Sequence, residues 1–256
     1  MAEIFFQEQG SGPCLVFIHG FCETHEIWND FIKPFTRSFR VITLDLPGFG
    51  NSELLPSPFT VDEVGEAVAN VLNKNKVNDA IVIGHSLGGY VTLSLAGHHP
   101  NLVSAIVLFH SSAFSDSEEK KENRNKVIES ISKYGALPFI DTFVPGLFFD
   151  KSNASIKKVY AIASKTKSET LISYTRAMRD RPDRREMWIK NDLPKLLIAG
   201  TEDTSIPVQI SREMAEIGAN LRFYELKNTG HMGFFEAEKE CQLIITSFTD
   251  DLFSIN

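Results

Sequence analysis

Short apolar runs recur along this chain with helical spacing between them, and that alternation admits few architectures. The runs are Cys14 to Ile18, ended by His19-Gly20, Arg40 to Leu46, ended by Pro47-Gly48, Ala80 to Ile83, Leu102 to Phe109, Lys195 to Ala199 and Leu221 to Leu226. Runs this short and this continuous predict strands buried on both faces, as in a parallel sheet covered by helices. Between them, Val61, Val64, Val68 and Leu72 keep one helical face, Val91, Leu95 and Ala96 keep another, and Phe235 through Phe248 a third. The alternation predicts an α/β fold with a doubly wound, mostly parallel sheet flanked by helices.

Residues 112 to 186 break the pattern. They contain no convincing strand but several helical stretches, Glu118 to Ile131 and Ser152 to Ala163 being the clearest, with an aromatic-rich segment from Phe139 to Phe149. This predicts a helical lid inserted into a core made of residues 1–111 and 187–256. Charge divides the same way. The whole chain of 256 residues carries −7, but residues 112–186 carry +4 and the remainder −11. Two explanations stand side by side: oppositely charged parts pack together, or the lid offers cations to an acidic substrate.

An acidic chain with 43% hydrophobic residues has the composition of a globular protein with a sizeable core, and its charge argues against nucleic acid or an anionic membrane surface as partner. The start, Met-Ala-Glu-Ile-Phe-Phe-Gln-Glu-Gln, has acid where a leader would carry Lys or Arg, and no apolar stretch approaches the roughly 20 residues of a membrane helix. A soluble, cytoplasmic protein is expected. Cys14, Cys22 and Cys241 are few and widely spaced, which predicts free thiols and no zinc site.

Gly84-His85-Ser86-Leu87-Gly88 lies between a predicted strand and a predicted helix. A serine on so sharp a turn needs small neighbours, and the turn projects its hydroxyl beyond the carboxyl end of the sheet. A serine hydroxyl is a weak nucleophile and needs a base, which needs an orienting carboxylate. His231, in the glycine-flanked loop Asn228-Thr229-Gly230-His231-Met232-Gly233, has the best setting among seven histidines. Asp203 follows the strand Lys195 to Ala199 and is preferred to its neighbour Glu202 because its offset from the strand end matches the motif order Ser, Asp, His. An oxyanion needs two donors: Leu87 N–H at the start of the helix, and Phe21 N–H in the loop His19-Gly20-Phe21-Cys22. His19 reads as a loop-organising residue and His98-His99 as a solvated helix end. His85 and His110 are placed at the substrate pocket with Phe143 and Phe148 from the lid. Cys22 is either a small buried residue or a thiol whose modification slows turnover.

These motifs, with Asp45-Leu46-Pro47-Gly48-Phe49-Gly50-Asn51-Ser52, resemble the α/β-hydrolase fold family across nearly all the chain outside residues 112–186. The resemblance implies Ser86 as nucleophile, His231 as base, Asp203 as orienter and Phe21 with Leu87 as oxyanion hole. It also implies that the family's first edge strand is missing, since the amino terminus is short. Family members that attack carbon in halides or epoxides carry aspartate where Ser86 stands, so the implied reaction is acyl transfer on an ester, thioester or lactone of small or medium size, without cofactor or metal. The chain is similar also to the menaquinone-pathway lyase, whose arginine four residues after the serine is Tyr90 here. Arg124 could take that place. A C–C hydrolase, a cofactor-free haloperoxidase or perhydrolase side reaction, and a ligand-binding receptor on the same fold complete the alternatives. Oligomeric state is not readable from the sequence.

Overall fold

The computed structural model describes residues 3–254. Seven strands form one sheet: β1 (Phe6–Gln9), β2 (Cys14–Ile18), β3 (Arg40–Leu44), β4 (Ala80–His85), β5 (Val103–Phe109), β6 (Lys195–Gly200) and β7 (Leu221–Leu226). Their order is β1-β3-β2-β4-β5-β6-β7, with β1 antiparallel and every other pairing parallel. This is the α/β sheet expected from the alternation. Residues 15–18 and 81–84 pair through β2 and β4, and both strands are buried along their whole length, which is why they read as unbroken apolar runs.

The two edges differ from the interior strands. At the amino-terminal edge a strand that the apolar runs did not mark, Phe6 to Gln9, pairs antiparallel with Leu44 to Val41. Its sequence, Phe-Gln-Glu-Gln, has neither apolar continuity nor strict alternation, since only one of its edges is paired and half its residues face water. The opposite edge, β7, is not buried on both faces: only Leu226 of its six residues is fully buried.

The helices cover the sheet as their spacing requires. Helix α1 (Val61–Lys74) starts on a capping box in which Thr60 Oγ1 accepts from Glu63 N–H at 3.2 Å and Glu63 Oε2 accepts from Thr60 N–H at 2.7 Å. Its buried face is Val61, Val64, Gly65, Val68, Ala69 and Leu72. Helix α2 (Leu87–His98) is buried all round from Leu87 to Ala96, as a helix central to the core must be. It ends at the surface, where His99 Nε2 lies 2.7 Å from Glu66. The expected single helix over Phe235 to Phe248 is two, α9 (Gly233–Glu236) and α10 (Glu238–Ser254). Ala237 leaves helical angles where Glu236 turns its carboxylate back to the Gly230, Phe149 and Asp150 N–H groups.

Residues 112–186 hold α3 (Glu118–Tyr134), α4 (Ala136–Gly146), α5 (Ser155–Ala163), α6 (Ser168–Arg179) and the start of α7 (Arg185–Lys190), with no strand among them; α8 (Val208–Ile217) belongs to the remainder. Where cations of this segment form ion pairs, the acid mostly belongs to the same segment. Among the described residues, only Lys158 with Asp30 and Arg184 with Asp62 join the positive segment to the negative remainder. Charge complementarity between the two parts therefore accounts for little of the +4. No described helix is long and apolar enough to cross a membrane.

Candidate active site

The carboxyl ends of β2, β4, β5, β6 and β7 point to one side of the sheet, and the singled-out residues sit in the loops just beyond them. Ser86 follows β4 with φ 51° and ψ −114°, a left-handed backbone that a serine adopts only under constraint. The constraint is visible: Ser86 N–H donates to Phe109 O at 3.0 Å, and Ser86 O accepts from Ser111 Oγ at 2.7 Å and Gly89 N–H at 2.9 Å. The flanking glycines are required by close approach, for a Cβ on Gly84 would meet Gly88 O at 2.3 Å and one on Gly88 would meet Ile18 O at 2.3 Å. Leu87 opens α2, so its N–H lies at the positive end of that helix.

Asp203 is fixed at four points. Its Oδ1 accepts from Ser205 N–H at 2.8 Å and Ile206 N–H at 2.9 Å; its Oδ2 accepts from His231 Nδ1 at 2.7 Å and His110 Nδ1 at 3.1 Å. Burial works to raise this carboxyl's pKa, but the two histidine rings outweigh it and hold Asp203 well below the usual carboxylate range. The carboxylate can only accept, so His231 Nδ1 is the donor in this pair, and in the neutral ring the lone pair lies on Nε2. Its backbone is pinned from the helical segment, since His231 N–H donates to Leu147 O at 2.7 Å.

The other histidines are structural in position. His19 donates from Nδ1 to Gly20 O at 2.7 Å and accepts Leu46 N–H on Nε2 at 2.9 Å, which organises the loop after β2 as expected. His110 is sealed from solvent, and burial pushes its pKa down to about 4, so it is a neutral ring donating to Asp203 with Nε2 unpartnered. His85 faces two acceptors, Glu23 Oε2 at 3.0 Å from Nδ1 and His231 O at 2.9 Å from Nε2.

Ser86 and His231 open into one cavity of about 270 Å³. Its core side is Phe21, Tyr90 and Thr204 to Ile206; its other side is Lys120, Asn123, Arg124 and Val127 from α3, Phe143 from α4 and Met178 from α6. Phe143 is where the sequence placed it. His85, His110 and Phe148 do not line the cavity: each is at most 1% exposed. The two histidines lie beneath the site, and Phe148 stacks on Phe235 at 6.3 Å. Lys120, Asn123 and Val127 were not foreseen, although with Arg124 they form the i, i+3, i+4, i+7 stripe that marks one helix face. Cys22 is buried at 1% exposure, and burial pushes its thiol well above the ordinary range, so it is a small core residue and not a reactive thiol. His110, Asp203 and His231 offer ligand atoms within 4.8 Å of one another, but the two Nδ1 atoms converge on one carboxylate oxygen at hydrogen-bond distances. That geometry suits N–H donation and not a shared metal centre.

The family model for the alpha/beta hydrolase fold matches residues 13–238. The chain belongs to that family. The alpha/beta hydrolase is similar to the uncharacterized hydrolase YugF of Bacillus subtilis, at 28% identity over 234 residues that cover 85% of this chain and 83% of the relative. A pimeloyl-[acyl-carrier protein] methyl ester esterase of Vibrio vulnificus is 23% identical over 95% of this chain and 97% of its own. Among solved structures, a thermophilic esterase from Thermogutta terrifontis superposes with a TM-score of 0.91 at 25% identity, covering 98% of this chain and 94% of that one.

Proposed function

We propose that this alpha/beta hydrolase cleaves carboxylic esters through an acyl-enzyme on Ser86, with His231 as base, Asp203 as its orienter and the N–H groups of Phe21 and Leu87 as oxyanion hole. One observation carries the reading: His231, held through Nδ1 by Asp203 at 2.7 Å, lines the same cavity that Ser86 opens into. The Ser86 proton passes to His231 Nε2 as Oγ attacks the ester carbonyl. The oxyanion collapses, and the alcohol leaves with the proton from His231. Water then adds to the acyl-enzyme, giving its proton to His231, and the acid is released as Ser86 Oγ regains the proton. The helical segment 112–186 supplies one cavity side, and we assign it the role of a lid over a core of residues 1–111 and 187–256.

Esterase relatives and a neighbouring esterase structure support ester over thioester or lactone. One observation keeps the lyase reading in view: Tyr90 and Arg124 both line the cavity, so a guanidinium is present although not at the position four residues after the serine. Three free, buried cysteines fit a reducing compartment such as the cytoplasm. The test is hydrolysis of p-nitrophenyl esters of graded chain length. Short acyl chains should be turned over best, given the small cavity, and no turnover of any of them would remove the reading.

A further inference from the structure

In a chain of net charge −7, the cavity that Ser86 opens into is lined by two cations, Lys120 and Arg124, and, among the described residues, by no aspartate or glutamate. Both cations come from one face of α3, one helical turn apart. Arg124 is bonded through Nε to Asp116, and Asp116 also accepts from Arg181 NH1 at 2.7 Å, so one carboxylate is shared between two guanidinium groups. The Lys120 ammonium donates to Ser205 O at 3.0 Å and, among the described residues, meets no carboxylate. Two guanidinium groups thus share one carboxylate while Lys120 has a backbone carbonyl as its partner, and of these three cations Lys120 and Arg124 line the cavity. The remaining lining on that side is Asn123, a neutral amide, with the apolar Val127, Phe143 and Met178. Apolar walls lower the local dielectric and strengthen attraction to an anion.

We propose, resting on the ester-hydrolase reading, that the substrate is an ester bearing a free carboxylate on a short apolar chain, with that carboxylate held by Lys120 and Arg124 while the ester carbonyl sits at Ser86. This assigns the positive charge of the lid to recognition of substrate. Monomethyl adipate and its uncharged counterpart dimethyl adipate are the probes. Calorimetry on the Ser86→Ala protein should show the monomethyl ester binding at least tenfold tighter, as charge-assisted hydrogen bonds imply. Lys120→Met should shrink that gap, and added salt should weaken it. In the wild-type enzyme kcat/KM should show the same preference, reduced by Lys120→Met. Equal affinity for the two esters, or a gap untouched by Lys120→Met, overturns the proposal. If p-nitrophenyl acetate is still turned over, the hydrolase reading stands without it. A binding gap with no ester turned over would instead keep the anion site and remove the hydrolase reading.

A separate observation lies beneath the site. Glu23 and His85 are 1% and 0% exposed, and Glu23 Oε2 accepts from Gly20 N–H at 2.6 Å as well as from His85 Nδ1. Burial works to raise the Glu23 pKa, but the facing His85 and the Gly20 N–H outweigh it and keep the carboxyl ionised, so both partners of the His85 ring, this carboxylate and the His231 carbonyl, accept and the ring donates from both nitrogens as an imidazolium. Burial opposes that charge, but the facing Glu23 carboxylate, and Asp203 behind it, raise the His85 pKa above its ordinary value. The titratable rings of His231 and His110 lie at 4.9 and 6.1 Å, and the apolar Phe234, Trp28 and Phe109 pack around the rest of the ring. The geometry points to Glu23 and His85 as positioning residues that tie the loop carrying Phe21 N–H to the backbone of His231. Glu23→Gln should lower kcat by roughly 10- to 100-fold with KM little changed, the scale set by small displacements of reacting groups. Nitrogen-15 NMR of the unmutated protein at neutral pH should show His85 protonated on both nitrogens, and Glu23→Gln should remove one proton. A singly protonated His85 in the wild type, or wild-type kcat in Glu23→Gln, contradicts the assignment.

Discussion

Replacing Ser86 with alanine is expected to reduce kcat/KM for p-nitrophenyl acetate by roughly 10⁵- to 10⁶-fold, the loss seen when a serine nucleophile is deleted from another enzyme of this chemistry. The fold should survive. Among the described residues the Ser86 hydroxyl makes no hydrogen bond; the turn is held by Ser86 backbone bonds to Phe109, Ser111 and Gly89, which alanine retains. Alanine meets the same positive φ as serine, so little additional strain arises. Thermal unfolding should therefore stay close to wild type while turnover disappears. A variant that keeps substantial activity would show that the hydrolysis belongs to another residue.

Asp203→Asn is expected to cost roughly 10⁴-fold in kcat, by analogy with the same change in another Ser-His-Asp enzyme. The bonding pattern explains why. One oxygen of Asp203 receives the Ser205 and Ile206 N–H groups and the other receives both histidine Nδ1 donors, so every contact is an acceptor. An amide has one acceptor and one donor end. With its NH₂ toward the histidines, His231 must move its proton to Nε2 and can no longer take the Ser86 proton; with its NH₂ toward Ser205 and Ile206, two N–H groups oppose it. Stability should respond as well. The Asp203 carboxyl is depressed below its unfolded value, so its contribution is present above about pH 4 and is lost as pH falls further. The asparagine variant should be less stable at pH 7, with the difference narrowing in acid. Chemical denaturation at pH 7 and pH 3.5 measures it, and a difference that grows in acid would contradict the bonding described.

Much of the site was legible because the chemistry leaves local marks. Ser86 lies in a five-residue motif whose glycines are demanded by backbone contacts under 2.5 Å, and Asp203 and His231 each follow a strand that announces its own end. The interior strands were legible for a different reason: burial on both faces removes every polar residue from β2 and leaves an unbroken apolar run. Where burial is partial, the signal fades. Strand β1 is held by one neighbour and is half exposed, so Phe-Gln-Glu-Gln reads as loop. The break at Ala237 depends on where Glu236 finds three N–H donors, two of them nearly ninety positions away along the chain.

The cavity itself was the least legible part. Nearness in sequence placed His85 beside Ser86 and His110 at a strand exit, but both rings turn inward, where Glu23 and Asp203 receive them. Tertiary hydrogen bonding decided their direction, and a single chain position carries no trace of it. The α3 stripe of Lys120, Asn123, Arg124 and Val127 does carry the helical period, yet its mixed polarity reads as a solvated face until the core is seen across from it. The +4 carried by residues 112–186 includes Lys120 and Arg124, but a charge sum does not say which helix face they occupy.

The central claim is that Ser86 is an activated nucleophile in a cavity reached from solvent. Intact-protein mass spectrometry after exposure to an organophosphonate ester tests it most directly. One phosphonyl group per chain is predicted, with peptide mapping to Ser86, loss of ester turnover in proportion to labelling, and no label on Ser86→Ala. An unlabelled wild-type protein, or label at another residue with Ser86 free, would contradict the account.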